Sequence, residues 1–187
     1  MNMKTLSLAI VATGALAIAG CSNDAADQEG HDLQASSRTL ASVLADENSF
    51  SRVSGTLGDA GLSEVFDGTA SYTILVPTDD AFAALGDAGE ALQGDEAQAV
   101  MVAVIRDHIL PGYFSPQDIA TAIDAQGGEV SMTTMGETTV TFDKDGDDLT
   151  MRSADGSSAR MSGEAIHAVN GVAIPVDHVL KQLAPES

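Results

Sequence analysis

The sequence predicts an α+β fold, a single domain in which small α-helices wrap one side of a sheet and short β-strands meander. Three stretches predict it. A short apolar run, Tyr72–Val76, passes through Pro77 into Thr78-Asp79-Asp80-Ala81-Phe82, a strand running into a helix start. Residues 97–110 repeat apolar side chains at helical spacing. Residues 130–161 break into short Thr-, Val- and Met-rich segments punctuated by Gly and Asp, the pattern of meandering strands.

In chain order, Met1–Lys4 is a short positive region and Leu6–Ala19 an apolar one too short to span a bilayer, so residues 1–20 read as a secretory signal and not as part of the fold. Two cleavage readings are open. Ala17-Ile18-Ala19 suits an ordinary small-residue cut, which would leave a secreted soluble protein. Ile18-Ala19-Gly20-Cys21 resembles the bacterial lipobox, in which the cysteine is lipidated and becomes the first mature residue. The lipobox is preferred, because Cys21 is the only cysteine of the chain and stands where a lipobox needs it. Ser22–Ser36 is polar and reads as a tether spanning on the order of 20 Å, with Ser22 resembling the outer-membrane sorting pattern of a two-membrane host. The predicted organisation is signal 1–20, lipid-anchored tether 21–36, and one domain over 37–187.

Within the domain, Leu40, Val43 and Leu44 have helical spacing after the candidate caps Ser36 and Ser37. Phe50, Val53 and Leu57 continue it behind Ser49 until Gly61, and Leu62, Val65 and Phe66 follow. At the corner, Pro77 cannot donate to a sheet ladder, so the strand should end there. Thr78 is then an N-cap, and Asp79 and Asp80 lie in a first helical turn, where the helix dipole favours carboxylates. Phe82 and Leu85 face one side, back onto the strand. This assigns both aspartates to helix-start chemistry and not to a catalytic pair.

From Ala97 to Leu110 one face carries Ala97, Val100, Met101, Val104, Ile105 and His108, and Pro111-Gly112 should end the helix. His108 is expected as a buried imidazole bonded to a backbone or side-chain group, since no second metal ligand stands four residues away. Ser115-Pro116 opens a further helix, with Ile119 and Ile123 inward and Gly127-Gly128 at its end. Asp143-Lys-Asp-Gly-Asp-Asp148 fails as a calcium loop, because Gly146 falls at position 4 and Ala154 at position 12. A hairpin with Asp-Gly at its tip explains it. Asn170-Gly171 marks another hairpin, in which both residues accept positive φ. Pro175 implies an edge strand or bulge. Asp177 can cap a closing helix carrying Val179, Leu180 and Leu183.

Three of these stretches together resemble the fasciclin (FAS1) domain. Thr73-Ile-Leu-Val-Pro77-Thr78-Asp79-Asp-Ala81-Phe82 is similar to its first box, Thr-x-Phe-Ala-Pro-Thr-Asp-x-Ala-Phe. Val104 to Tyr113, through His108, Pro111 and Gly112, is similar to its central Leu-x-Tyr-His-Ile-x-Pro-Gly box. Asn170, Gly171, Val172, Val176, Asp177, Val179 and Leu180 match its last. The resemblance implies a single FAS1 domain, a wedge of β-strands with α-helices packed on one side, and a role in adhesion or matrix binding at the cell surface. Two departures bear on that role: Asp107 stands where the family has the tyrosine of a Tyr-His pair, and Ala165 where integrin-type binding needs an acid.

Composition narrows the function classes. With Lys4 in the leader, the mature chain sets seven basic against 28 acidic residues, a formal charge of −21. That argues against nucleic acid or anionic lipid as direct partners, the membrane being reached through the lipid anchor only. It favours a basic or cation-bridged partner. No Trp, two Tyr and five Phe leave few stacking platforms for sugars or bases. There is no Gly-x-Ser-x-Gly elbow, zinc motif or Gly-rich phosphate loop, and the four histidines are scattered. The expectation is therefore a monomeric, non-catalytic interaction module. It would need no cofactor and would bind a protein, polysaccharide or other component of the cell envelope. A periplasmic esterase or depolymerase and a structural stress protein are the alternatives.

Overall fold

The computed structural model describes residues 37–92 and 97–183. The predicted signal, Cys21 and the tether to residue 36 lie outside the described residues. Seven α-helices and eight strands are described: α1 (Leu40–Asp46), α2 (Ser51–Asp59), α3 (Ser63–Phe66), β1 (Tyr72–Pro77), α4 (Asp79–Ala83), α5 (Asp87–Ala91), α6 (Gln98–Arg106), β2 (Ile109–Pro111), α7 (Pro116–Gln126), β3 (Val130–Thr133), β4 (Thr139–Asp145), β5 (Asp148–Ser153), β6 (Ser158–Arg160), β7 (Ile166–Ala168) and β8 (Gly171–Val176). No described helix is long and apolar enough to cross a membrane.

The strands form two four-stranded sheets, ordered β2-β1-β8-β7 and β3-β4-β5-β6. The second is the antiparallel meander read from the sequence. The first is mixed: β1 runs antiparallel to β2 and parallel to β8, with Tyr72 opposite Gly171 and Pro77 opposite Val176. Both faces of the first sheet are covered, so β1 reads as an unbroken apolar run. Ile74 and Val76 join Ile109, Ala173 and the buried faces of α1, α2, α4 and α6 in one core. Leu75, Val172, Ile174 and Val176 point the other way. They meet Phe142 and Met151 of the second sheet and Ile119 and Ile123 of α7 in the other.

Several local expectations hold. Thr78 caps α4, its hydroxyl accepting the Ala81 N–H at 3.1 Å. Ser115 caps α7 in a full capping box with Asp118, with Pro116 at the first position and Gly127 in the left-handed region (φ +71°) at the end.

Others are corrected by long-range contacts. α1 is capped by Thr39 and not by Ser37. Ser49 caps nothing: residues 48–50 form a 3₁₀ turn, and α2 starts at Ser51 with no cap from its own N-cap residue. The helix predicted over 97–110 stops at Arg106, because Ile109–Pro111 is recruited as an antiparallel partner for β1. Val100, assigned to the inward stripe, is 49% exposed. Neither Asn170 nor Gly171 adopts positive φ. The hairpin turns at Val169-Asn170, and Gly171 is already in β8. Pro175 lies in an interior strand, not at an edge. Asn170 and Val176 accept from Tyr72 of β1 and from Thr78 just past its end, so by alternation Pro175's missing N–H faces away from β1. On that side β7 has already ended, and Ser162 donates to the Pro175 carbonyl at 2.8 Å. No closing helix follows Asp177 among the described residues; 177–183 is an irregular segment.

Candidate functional site

The three motif stretches are brought side by side, since they carry the adjacent strands β2, β1 and β8. Thr73, fully buried in β1, ties the first stretch to the second. Its hydroxyl donates to the Gly112 carbonyl at 2.9 Å and accepts the Phe114 N–H at 2.8 Å. Gly112 is required there: it sits at φ +117°, and a Cβ would lie 2.7 Å from the Phe114 ring. Pro77 closes β1, Pro111 closes β2, and Ala81 and Phe82 bury the inner face of α4. Asp79 does more than its predicted dipole contact. Its carboxylate accepts the N–H groups of Ser51 at 3.2 Å and Arg52 at 3.1 Å, the start of α2.

His108 is the buried imidazole expected of it. Nδ1 lies 2.7 Å from the Val104 carbonyl and Nε2 accepts the Leu180 N–H at 2.9 Å. Burial pushes its pKa down to about 4, against the opposing pull of the Val104 bond and of Asp107 and Asp155. Asp107, beside it, is 5% exposed, accepts from Thr138 Oγ1 at 2.8 Å and pairs with Lys181 at 2.8 Å. In the sequence Asp107 stands out only as a departure from the family pattern; its partners come from the β3–β4 turn and the closing segment.

Asn170 is a three-way staple. Its side-chain oxygen accepts the Leu40 N–H at 2.8 Å, and its amide donates to the carbonyls of Phe66 at 2.6 Å and Gly68 at 2.8 Å. Gly171 is needed for close approach, since a Cβ would stand 2.3 Å from the Tyr72 carbonyl oxygen. Asp177 caps no helix and instead accepts the Arg160 N–H at 2.7 Å, while its own N–H donates to the Arg160 carbonyl. Burial pushes its carboxyl up, but that bond and the neighbouring His178 outweigh it and hold the carboxyl below its usual range. Val179 and Leu180 are buried.

Two surface features lie beyond the motifs. Tyr113 is 41% exposed, and its hydroxyl meets Nδ1 of His167 in β7 at 2.9 Å, a pairing across 54 positions that no spacing signals. The outer face of the second sheet forms an open polar groove of about 510 Å³, where Arg152 reaches Glu129 and Arg160 reaches Asp145. Residues 143–148 are the β4–β5 hairpin, with Gly146 at φ +69° at its tip. Among the described residues no group of three or more His, Cys, Asp or Glu is placed to hold a metal ion.

Comparison with known proteins agrees with this geometry. Residues 48–182 match the Fasciclin domain family. The chain is 32% identical over 151 residues to Protein sll1483 of Synechocystis sp. (strain ATCC 27184 / PCC 6803 / Kazusa), covering 78% of this chain and 74% of that protein. The FAS1 domain pair of the insect cell adhesion molecule Fasciclin I has the same fold, with a TM-score of 0.66 at 13% identity. That match spans 78% of this chain and 51% of the insect chain. With the family match running from the 3₁₀ turn before α2 to the closing segment, the chain belongs to the fasciclin (FAS1) domain family.

Proposed function

We propose that this protein is a non-catalytic interaction module displayed at the cell envelope. The signal of residues 1–20 exports it, Cys21 carries the lipid anchor, and the tether to residue 36 presents the domain to a protein or polysaccharide partner. Fasciclin domains are in general non-enzymatic adhesion or interaction modules, typically extracellular or exported, which supports the reading.

The observation that carries it is the use of the motif's polar atoms. Thr73, Thr78, Asp79, His108, Asn170 and Asp177 are each bonded to backbone groups that hold the two sheets and their helices in place. The family signature is therefore a scaffold, and recognition falls to the exposed faces. The acidic surface makes a protein partner basic or cation-bridged, with attraction that fades beyond a Debye length of about 10 Å at 0.1 M salt. The test is retention of envelope material by the immobilised protein at low and high salt, beside a panel of ester, glycoside and peptide substrates. Binding without turnover is expected. Reproducible hydrolysis, lost on a substitution that leaves the fold intact, overturns the reading.

A further inference from the structure

We propose that His108 is the catch of an acid-opened latch: neutral, it holds the closing segment 177–183 against the body, and on taking a proton it releases residues 179–183 from a root that stays fixed. The closing segment has no helix or strand to stabilise it, so its position depends on individual contacts. Its root is firm, because Asp177 and Arg160 exchange two bonds and Val176 bridges Met161. Beyond the root, the Leu180 N–H donates to His108 Nε2, Lys181 pairs with Asp107 at 2.8 Å, and the Gln182 N–H donates to Asp155 Oδ2 at 2.8 Å.

The partners of His108 fix its protonation. The Val104 carbonyl can only accept, so Nδ1 carries the proton; the Leu180 N–H can only donate, so Nε2 must offer a lone pair. A second proton on Nε2 would set two donors face to face at 2.9 Å. It would also place a charge on a ring that is buried from water. The charged groups facing the ring are Asp107 from its own segment, Asp155 from the β5–β6 turn and Lys181 from the closing segment. The two carboxylates favour the proton and Lys181 opposes it, but burial outweighs them all and pushes the ring down to about 4.

Once residues 179–183 swing out, water reaches the imidazole and it takes a proton near its ordinary value of about 6.5. Proton uptake is thereby coupled to opening, so between pH 6.5 and about 4 each step toward acid favours the open form. Linkage between these two values makes the open population about 30-fold larger at pH 5 than at pH 7.5. Burial pushes the Asp155 carboxyl up, but bonds from Ser157 and Gln182 outweigh it and keep the carboxyl below its usual range. Its hold on Gln182 persists through this window, so it sets how rare the opening is, not its pH dependence. Opening uncovers Val179 and Leu180, 4% and 0% exposed when closed, so the open form carries an apolar patch whose population grows toward acid.

The test is amide hydrogen exchange on the full chain from pH 4.5 to 7.5, corrected for the intrinsic pH dependence of exchange. The Leu180 amide reports the latch and the Leu75 amide, inside β1, reports global unfolding. The expected result is that Leu180 exchanges faster than Leu75 at every pH and that its opening rises about 30-fold from pH 7.5 to pH 5. In His108→Gln, whose side chain can accept from Leu180 but does not titrate, that rise is absent. Leu180 exchanging in step with Leu75, or an unchanged pH rise in His108→Gln, overturns the proposal. Should His108→Gln fail to fold, the Leu180–Leu75 comparison and its pH slope in the unsubstituted protein decide alone.

Discussion

The carboxylate of Asp79 caps a helix to which it does not belong: Oδ1 accepts the Arg52 N–H at 3.1 Å and Oδ2 the Ser51 N–H at 3.2 Å. α2 has no cap from its own N-cap residue, Phe50, so two of its free donors are satisfied from the strand-to-helix corner. One aspartate thereby fastens the N-terminal helices to the first sheet. Asp79→Ala should lower stability by about 1–2 kcal/mol, as for loss of a helix cap. Asp79→Asn, which keeps one acceptor, should cost less than Asp79→Ala. Urea unfolding of the two variants checks the order, and equal, near-zero effects would refute the cross-element cap.

Asn170 gives a sharper test. Asn170→Ala leaves the Leu40 N–H and the Phe66 carbonyl without partners, at a cost of roughly 2–4 kcal/mol. Asn170→Asp turns a donating amide toward two carbonyls into an acceptor, so the ionised form is repelled and the folded-state pKa rises. The penalty is then small below the unfolded value of about 3.9 and grows as pH rises past it. Unfolding of the Asp variant relative to the unsubstituted protein at pH 4 and pH 7 should show the larger deficit at pH 7.

Two glycines should respond in opposite directions to one methyl group. In Gly171→Ala the new Cβ meets the Tyr72 carbonyl oxygen at 2.3 Å and Leu40 Cδ2 at 2.8 Å, forcing apart strands β1 and β8 at a cost of about 3 kcal/mol. Gly55 sits inside α2, where an added methyl would have nothing within 4 Å, so Gly55→Ala should stabilise by about 0.5–1 kcal/mol. Thermal melts of the pair measure both signs.

The proposed anchor is tested by Cys21→Ser. The variant should move from the membrane fraction to the soluble one, or persist as unprocessed precursor, because stable anchoring requires more than one acyl chain at about 0.8 kcal/mol per buried CH₂. A lipid-labelled, membrane-bound Cys21→Ser protein would refute the anchor.

What the sequence made legible follows the range of the interactions concerned. Thr78 and Ser115 cap helices that begin at the next residue, so three or four letters carry the whole contact. The meander of β3 to β6 pairs neighbours in sequence, and its turns are marked by Gly and Asp. The misreadings sit where a distant segment decides. α6 stops at Arg106 because β1, whose Tyr72 pairs with Pro111 and Ile74 with Ile109, needs Ile109–Pro111 as its partner. Asp177 looks like a cap but binds Arg160, and Asn170 looks like a turn former but staples Leu40, Phe66 and Gly68. The family motifs single out these residues, but spacing alone could not say what they held, since their partners lie 17 to 130 positions away.

The parallel pairing of β1 with β8 sets an order on assembly. Tyr72–Pro77 lies against Gly171–Val176, so the middle of the first sheet is made from opposite ends of the domain. A chain emerging N-terminus first, from a ribosome or a translocation pore, exposes one edge of β1 until residue 176 arrives. The second sheet, paired only with its sequence neighbours, has no such wait. Closure across about a hundred residues carries a high loop-entropy cost before it is rewarded, which places this domain among the slower folders of its size. The last strand to appear is therefore the one that commits the chain to its native form.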